Sequence, residues 1–426
     1  MIDIKLIREN PERFKKAAQD KAIACDIDRL IDVDRQVAEA RRQLQDIATE
    51  KNRVGKSIPK LPEAERQAAL ARLSQMKDQE ARFEDVVKQQ TPAIEELMLQ
   101  VAQPADDDVP LGKDDTENVE IRREGLVRRF DFDPKDHMQL GAALDIIDME
   151  RGVKLAGARN YFLKGDGALL HWAVLRFAVD LMVSRGYRPM SVPLLMKDEA
   201  MRGTGYYPGS EEQTYRMERD GLNLAGTAEV PLTAYRMDEI LKEEELPLKS
   251  VGLSSCFRRE AGAAGKDTYG LYRIHQFDKV EQVVVCKNSV EESNRFHEEI
   301  LSNAEAVLQA LELPYRIVVV CTGDLGRGQA KKYDIETWMP SRGNYCETHS
   351  ASKFYEFQAR RMNLRYKETA TKKNLFCHTL NNTVIASPRV LIPILELYQN
   401  ADGSITVPNV LRSYMGGREV IKTPGA

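Results

Sequence analysis

The chain has 426 residues, 30% charged and 42% hydrophobic, with a formal net charge of −4. That is length for two or three domains and a composition for a soluble globular protein, and the near balance of charge confines any nucleic-acid surface to a local patch. The six scattered cysteines form no disulfide framework, MIDIKLIREN has no signal-peptide core, and the longest apolar runs (Ile317–Cys321, Val283–Cys286) are too short for a bilayer, so the sequence predicts reduced thiols in a cytoplasm and no membrane partner.

Leu30, Val33, Val37, Ala40, Leu44 and Ile47 recur at three- and four-residue spacing, and Ala69, Leu73, Met76, Phe83, Val87, Ile94 and Leu97 repeat the pattern. Such spacing predicts two helices paired along a narrow apolar seam. Gly55, Pro59 and Pro62 break the run between them. The expected structure is an antiparallel hairpin whose second helix, of about 38 residues, extends roughly 57 Å. Its tip, KNRVGKSIPK, holds Lys51, Arg53, Lys56 and Lys60 without an acid. The tip reads either as a solvated turn or as the phosphate-contacting end of a lever.

Residues 104–120, PADDDVPLGKDDTENVE, predict a linker. A strongly apolar helix follows over 168–184, then a strand interrupted by prolines in YRPMSVPLLM. GLNLAGTAEVPLTAYR, SSCFRRE, LYRIHQFDKVEQVVVC and YRIVVVC read as further strands, and an amphipathic helix opens with Ser289 as N-cap and Glu292 completing a capping box. Hairpin-joined strands with helices alongside indicate an antiparallel α+β domain. Phosphate loops of the GxxxxGK[ST] and GxGxxG kinds are missing, and GDLGRG (323–328) reads as a turn. Cys346 with His349, and Cys377 with His378, read as ordinary strand residues, with a tetrahedral zinc site as the alternative.

The segment 257–277, FRREAGAAGKDTYGLYRIHQF, sets charges and an aromatic on two expected strands joined by a glycine-rich loop with Gly262, Gly265 and Gly270. By strand alternation Arg258 and Glu260 share a face of the first strand and Arg273, His275, Phe277, Lys279 and Glu281 a face of the second, and the hairpin sets Arg, Glu, Phe and Glu over one sheet face. Such a face offers a planar cation for a phosphate, a ring for a base, and carboxylates for an amine or a metal. The alternative is a solvent-facing hairpin with cross-strand ion pairs.

FRREAGAAGKDTYGLYRIHQFDKVE resembles motif 2 of the class II aminoacyl-tRNA synthetases, and of the bacterial-type seryl-tRNA synthetases in particular. GLNLAGTAEVPLT resembles that family's TAE segment, LELPYRIVVVCTGDLGRGQAKKYDIETWMP and EFQARRMNLRY its later catalytic segments, and NNTVIASPRVLIPILELYQNADGSITVPNVLRSYMGG its motif 3 and C-terminus. MIDIKLIRENPERF and the hairpin resemble its N-terminal tRNA-binding domain, and helix 168–184 with the strand after it resembles motif 1, the dimer interface. AAGKDTYG, NNTVIASPR and THSAS depart from the family's common forms at individual positions.

The resemblance implies a tRNA-binding domain over 1–105 with a coiled-coil arm, then a class II catalytic domain over 106–426 built on an antiparallel β-sheet with flanking helices. It implies ATP-dependent ligation of L-serine to the 3'-terminal adenosine of tRNA(Ser) through seryl-adenylate, with tRNA(Sec) as a second candidate acceptor, Mg2+ as the metal, and a homodimer. Thr227, Ala228, Glu229, Glu281 and Thr383 would meet serine; Arg258 the α-phosphate, with Arg259 beside it; Glu260 and Phe277 the adenine; and Arg389 the γ-phosphate. Glu347, Thr348, His349 and Ser350 would meet ATP, Glu347 and Ser350 holding Mg2+, while Lys51, Arg53, Lys56 and Lys60 would meet tRNA. No protein nucleophile is implied: Arg258, Glu260 and Arg389 would act by positioning and charge stabilisation. Two other outcomes are a paralogue that loads a carrier protein, whose expected form lacks the arm, and a non-catalytic RNA-binding relative, which would have lost its ATP-contacting residues.

Overall fold

A computed structural model describes residues 1–262 and 268–423, the side chain of Ala64 excepted, so Gly265 and Lys266 of the glycine-rich loop lie outside the described residues. By its internal contacts the chain divides into two units, Met1–Pro104 and Ala105–Ala426.

The first unit holds α1 (Ile4–Glu9), α2 (Pro11–Asp20), α3 (Ile27–Ser57) and α4 (Glu63–Gln100). Asp3, Asn10 and Asp26 cap the first three through their side chains. On α3 the seam residues Leu30, Val33, Val37, Ala40 and Ile47 are buried, whereas on α4 only Leu97 of the predicted set is. The rest of the α4 seam is half-buried because a two-helix arm has no third element to cover it. Gly55 does not break the helix as expected: α3 runs through it to Ser57. A glycine costs a helix about 1 kcal/mol, less than neighbouring turns supply. Pro59 and Pro62 make the break, the first inside the 3-10 turn Ile58–Lys60 and the second at the start of α4. A single Pro92 is carried within α4. The tip is less bare of acid than its sequence. Lys51 pairs with Glu80 across the seam, and Arg53 and Arg72 both pair with Glu50, each at 2.7 Å. Lys56 and Lys60 are exposed and have no acidic partner among the described residues.

The second unit is built on β1 (Val119–Glu124), β2 (Arg188–Met190), β3 (Leu248–Phe257), β4 (Gln276–Cys286), β5 (Tyr315–Val319), β6 (Lys331–Met339), β7 (Asn344–Tyr355) and β8 (His378–Ser387). They form one sheet in the order β1-β5-β6-β7-β8-β4-β3-β2. Neighbours run antiparallel except β2, which lies parallel to β3. Helices α5 (Asp166–Ser184) and α7 (Val290–Ala310) cover one face; α6 (Glu229–Ala234) lies between them in sequence. Leu170, Val174, Phe177 and Met182 of α5, and Phe296, Ile300, Leu301 and Leu308 of α7, pack with Val280, Val284, Ile335 and Leu380 of the sheet. By length and composition α5 could cross a membrane, which the short apolar runs did not reveal, and half of its apolar window is buried here.

Several expected elements differ in detail. GLNLAGTAEVPLTAYR is not one strand but a short strand, Leu222–Leu224, followed by α6. YRPMSVPLLM splits into β2 and Leu195–Met196, because proline cannot donate to a ladder. The linker is not a free tether. Asp106 accepts from Lys353 Nζ (2.6 Å) and Tyr355 OH (3.0 Å), Asp108 pairs with Lys331 (2.5 Å), and β1 has begun by Val119. Ser289 caps α7 through the Glu292 N–H (3.2 Å), but only half of the capping box forms, since the Ser289 N–H goes to the Lys287 carbonyl and Glu292 faces Arg295.

Candidate active site

The face of the sheet opposite α5 and α7 carries a cleft lined from β4, β7, β8 and the long β3–β4 loop. Alternation along β4 explains its floor. Val280 and Val284 enter the helix-side core and Gln282 donates to the Ile300 carbonyl, so Phe277, Lys279 and Glu281 point the other way. Two irregularities add side chains to the same face. Glu347 and Ser350 are three residues apart and would diverge on a regular strand. The register instead runs Glu336↔Glu347 then Ile335↔His349, leaving Thr348 as the extra residue of a bulge. On β8 the register runs Glu281↔Thr383 then Val280↔Ile385, which lets both Thr383 and Ala386 line the cleft.

Arg258 and Glu260 do not sit on a strand as expected, nor do Arg273 and His275, because β3 ends at Phe257 and β4 starts at Gln276. One further rung joins the Arg258 N–H to the His275 carbonyl at 2.9 Å. It keeps Arg258 on the side of Phe277, with its guanidinium carbon 5.2 Å from the ring centre. Arg258 Nε donates to the Gly226 carbonyl (3.3 Å), which leaves the terminal fork at the cleft wall. Glu260 then leaves the ladder with φ +50°, and its carboxylate meets Arg273 Nη1 at 3.3 Å. The loop re-enters at Gly270, φ +63°, where His137 occupies the space of a Cβ.

At the other wall Arg389 donates from Nε to the Tyr272 carbonyl and from Nη1 to the Glu347 carbonyl, both at 3.1 Å. Its guanidinium lies 4.4 Å from the centre of the Tyr272 ring, and that of Arg342 lies 3.8 Å from the same ring. Burial pushes the Tyr272 phenol up to about 12. The Glu347 side chain keeps solvent contact in the cleft. Burial raises its pKa, but Lys332, Arg389, Arg258 and Arg273 outweigh that and hold the carboxyl below its usual range. Asp334 pairs in register with Ser350, so the two share a face. Burial pushes the Asp334 carboxyl up to about 8 although Lys332 stands 3.0 Å away, and its Oδ1 is buried without a hydrogen-bond partner. Two carboxylates and a hydroxyl, one oxygen unsatisfied, suit a hard divalent cation.

Below the cleft floor Glu281 forms a buried ion pair with Lys279 and accepts long hydrogen bonds from Thr227 (3.4 Å) and Thr383 (3.5 Å). Thr227 Oγ1 also accepts the Glu229 N–H at 3.1 Å. Glu229 is buried beside Tyr206 and Gln358, and burial with the nearby charge of Glu281 pushes its carboxyl up to about 7.

The structure thus gathers Arg258, Glu260, Phe277, Glu347, Thr348, Ser350, Thr383 and Arg389 around one cleft, with Thr227 and Glu281 beneath it and Glu229, next to Thr227, lining a neighbouring cavity with Tyr206. Three expected residues are not brought there. Arg259 is exposed and spends its N–H on the Gln213 carbonyl. Ala228 packs with Leu232 and Val283 in an apolar cluster. His349, opposite Ile335, is buried and bonded through Nδ1 to Thr348 Oγ1 (2.8 Å), while the Thr348 hydroxyl also meets Thr337 (2.7 Å). Cys377 is buried in the same cluster as Ala228 and His378 bonds Ser293 Oγ (2.7 Å); no group of three or more His, Cys, Asp and Glu placed to hold a metal occurs among the described residues. Sequence reasoning passed over Tyr272 and gave Lys279 a face but no task. A second aromatic five residues before Phe277 was the available signal for Tyr272.

Two family profiles match the chain: the seryl-tRNA synthetase N-terminal domain over residues 1–103, and the class II tRNA synthetase core domain (G, H, P, S and T) over residues 214–398. The serine–tRNA ligase of Deinococcus radiodurans is 45% identical, with 100% of each chain covered. The crystal structure of seryl-tRNA synthetase from Pyrococcus horikoshii complexed with ATP superposes with a TM-score of 0.93 at 35% identity, covering 99% of this chain and 100% of that one. The cytoplasmic serine–tRNA ligase from Naegleria fowleri in complex with AMP gives 0.89 at 31% identity, covering 100% and 99%.

Proposed function

The chain belongs to the seryl-tRNA synthetase family and is a serine–tRNA ligase working through seryl-adenylate, and on that premise we propose how its cleft divides the work. ATP lies with its adenine on Phe277 beside Glu260 and its phosphates along the line from Arg258 to Arg389. A serine carboxylate oxygen attacks the α-phosphorus in line, the bond to the bridging oxygen breaks, and pyrophosphate leaves. Arg258 takes the charge growing on the α-phosphate oxygens with a planar fork held in advance by Gly226. Arg389, braced by two backbone carbonyls, holds the γ-phosphate end. Glu347 and Ser350, with Asp334 behind them, would hold Mg2+, which would supply positive charge to the phosphates. Thr227, Glu229, Glu281 and Thr383 receive serine. A polar pocket suits that task, because an analogue lacking the hydroxyl would leave buried groups unpaired. In the second half-reaction a ribose hydroxyl of the terminal adenosine attacks the adenylate carbonyl and AMP leaves.

The tip of the arm contacts tRNA(Ser), with tRNA(Sec) as a further acceptor, and the enzyme works in the cytoplasm as a homodimer. Trp172 (62% exposed) and Val183 (44%) lie three turns apart on the outer side of α5, with the exposed Arg176–Asp180 ion pair between them, and supply apolar surface for a second subunit. The observation that carries the site assignment is the pair of anchored guanidiniums, Arg258 against Phe277 and Arg389 on the Glu347 carbonyl, facing one cleft. Serine-dependent exchange of pyrophosphate into ATP tests it; purified protein with ATP, Mg2+ and serine that gives no exchange defeats the reading.

A further inference from the structure

We propose that Tyr206 and Gln358 are positioning residues for amino-acid recognition, which aim the Glu229 carboxylate at the bound serine. The inference rests on the reading of Glu229 as a serine contact and adds what holds it. Glu229 opens α6 and is 8% exposed. Its Oε2 accepts from Tyr206 OH at 3.0 Å and its Oε1 from Gln358 Nε2 at 2.9 Å. The two donors come from separate places in the fold, Tyr206 from the segment after the helix Asp198–Thr204 and Gln358 from the short helix Phe357–Arg361.

The orientation of Gln358 is itself determined. Its Oε1 accepts from the Thr379 hydroxyl at 2.6 Å, and its Nε2 also donates to the Thr204 carbonyl at 3.0 Å. A threonine hydroxyl on one side and a carbonyl on the other leave one sensible amide placement, with the NH2 toward Glu229. Gln358 and Thr379 are both wholly buried, so the chain Thr379–Gln358–Glu229–Tyr206 is built into the interior.

A structural carboxylate in such a place would be expected to meet a cation. Glu281 has Lys279, but Glu229 has only neutral donors and no ion-pair partner among the described residues. Each of its oxygens has one further acceptor direction. A buried carboxylate so oriented, and left short of a positive partner, fits a ligand that brings an ammonium group or a hydroxyl proton. Burial and Glu281 work against its charge more than Lys279 favours it, and the ammonium of serine would offset them.

Tyr206→Phe removes one hydroxyl and Thr379→Val releases the Gln358 amide, and pyrophosphate exchange reads both. The expected result for Tyr206→Phe is a KM for serine raised about tenfold or more, the usual cost of removing a bond to a charged group. KM for ATP and kcat at saturating serine should stay within about twofold, and Thr379→Val should raise the same KM by less. An unchanged serine KM in both variants, or serine and ATP constants that rise together with a fallen melting temperature, overturns the proposal. Glu229→Ala separates the two ideas: if it leaves the serine KM alone, the underlying serine contact is what fails, and the positioning role with it.

Discussion

Replacing Arg258 by alanine tests the centre of the mechanism. In the resting structure its side chain, among the described residues, donates from Nε to a neutral carbonyl 3.3 Å away, and it lies against Phe277. Loss of that bond should cost the fold about 0.5–1.5 kcal/mol, too little to unfold a domain of this size. In the transition state the same group is a preorganised donor facing new charge, and removing one such donor costs roughly 10²–10³ in rate, about 2.7–4 kcal/mol. Arg258→Lys keeps the charge but not the fork, and should fall between parent and alanine variant. Pyrophosphate exchange at saturating serine and ATP gives kcat directly. An alanine variant within about threefold of the parent kcat refutes the role, and a change confined to KM for ATP would show that Arg258 only binds the ground state.

Other outcomes follow from the geometry. Glu229, faced by Glu281, Lys279, Tyr206 and Gln358, has its carboxyl at about 7, and a bound ammonium favours the ionised form; the serine KM should therefore climb as pH falls below about 7, by up to roughly tenfold per unit, and Glu229→Gln should flatten that profile if the group is the cause. Lys56→Ala with Lys60→Ala should weaken tRNA binding and reduce its log–log salt slope by about 0.9 for every phosphate no longer neutralised, more than Lys51→Ala with Arg53→Ala, since Glu80 and Glu50 already engage that pair; equal effects would contradict the ion-pair argument. Light scattering should give twice the 48.3 kDa chain mass at micromolar concentration, and Trp172→Glu should shift it toward the single chain; a monomer in the parent protein removes the dimer from the account.

What the sequence revealed depended on whether local rules governed the residues concerned. Helical spacing along α3 and α4 is a local signal, and so is the alternation of Phe277, Lys279 and Glu281 along β4. The bulge at Thr348 is not. A period of two sets Glu347 and Ser350 on opposite faces, and only their partners on β6 show otherwise. In GTAEVPLT the branched side chains favour a strand, yet Ala228 and Leu232 are buried together in an apolar cluster and the segment coils into α6, so tertiary burial overrode local preference. Tyr206 and Gln358 stand 23 and 129 residues from Glu229 and belong to no pattern with it, so only the folded chain joins them.

The strand order carries a consequence for synthesis. β8, the last of the eight strands to leave the ribosome, is hydrogen-bonded to β7 on one side and β4 on the other. Before residue 378 emerges, the nascent chain can hold β2–β4 and β1 with β5–β7 only as separate sheets, each with an open edge prone to pair with the wrong partner. Phe277 belongs to the first sheet, Glu347 and Ser350 to the second, and Thr383 arrives with β8 itself. ATP can therefore act as a template for the cleft only in the last moments of translation, and a chain stopped short of β8 should release two aggregation-prone fragments of sheet instead of a weak enzyme.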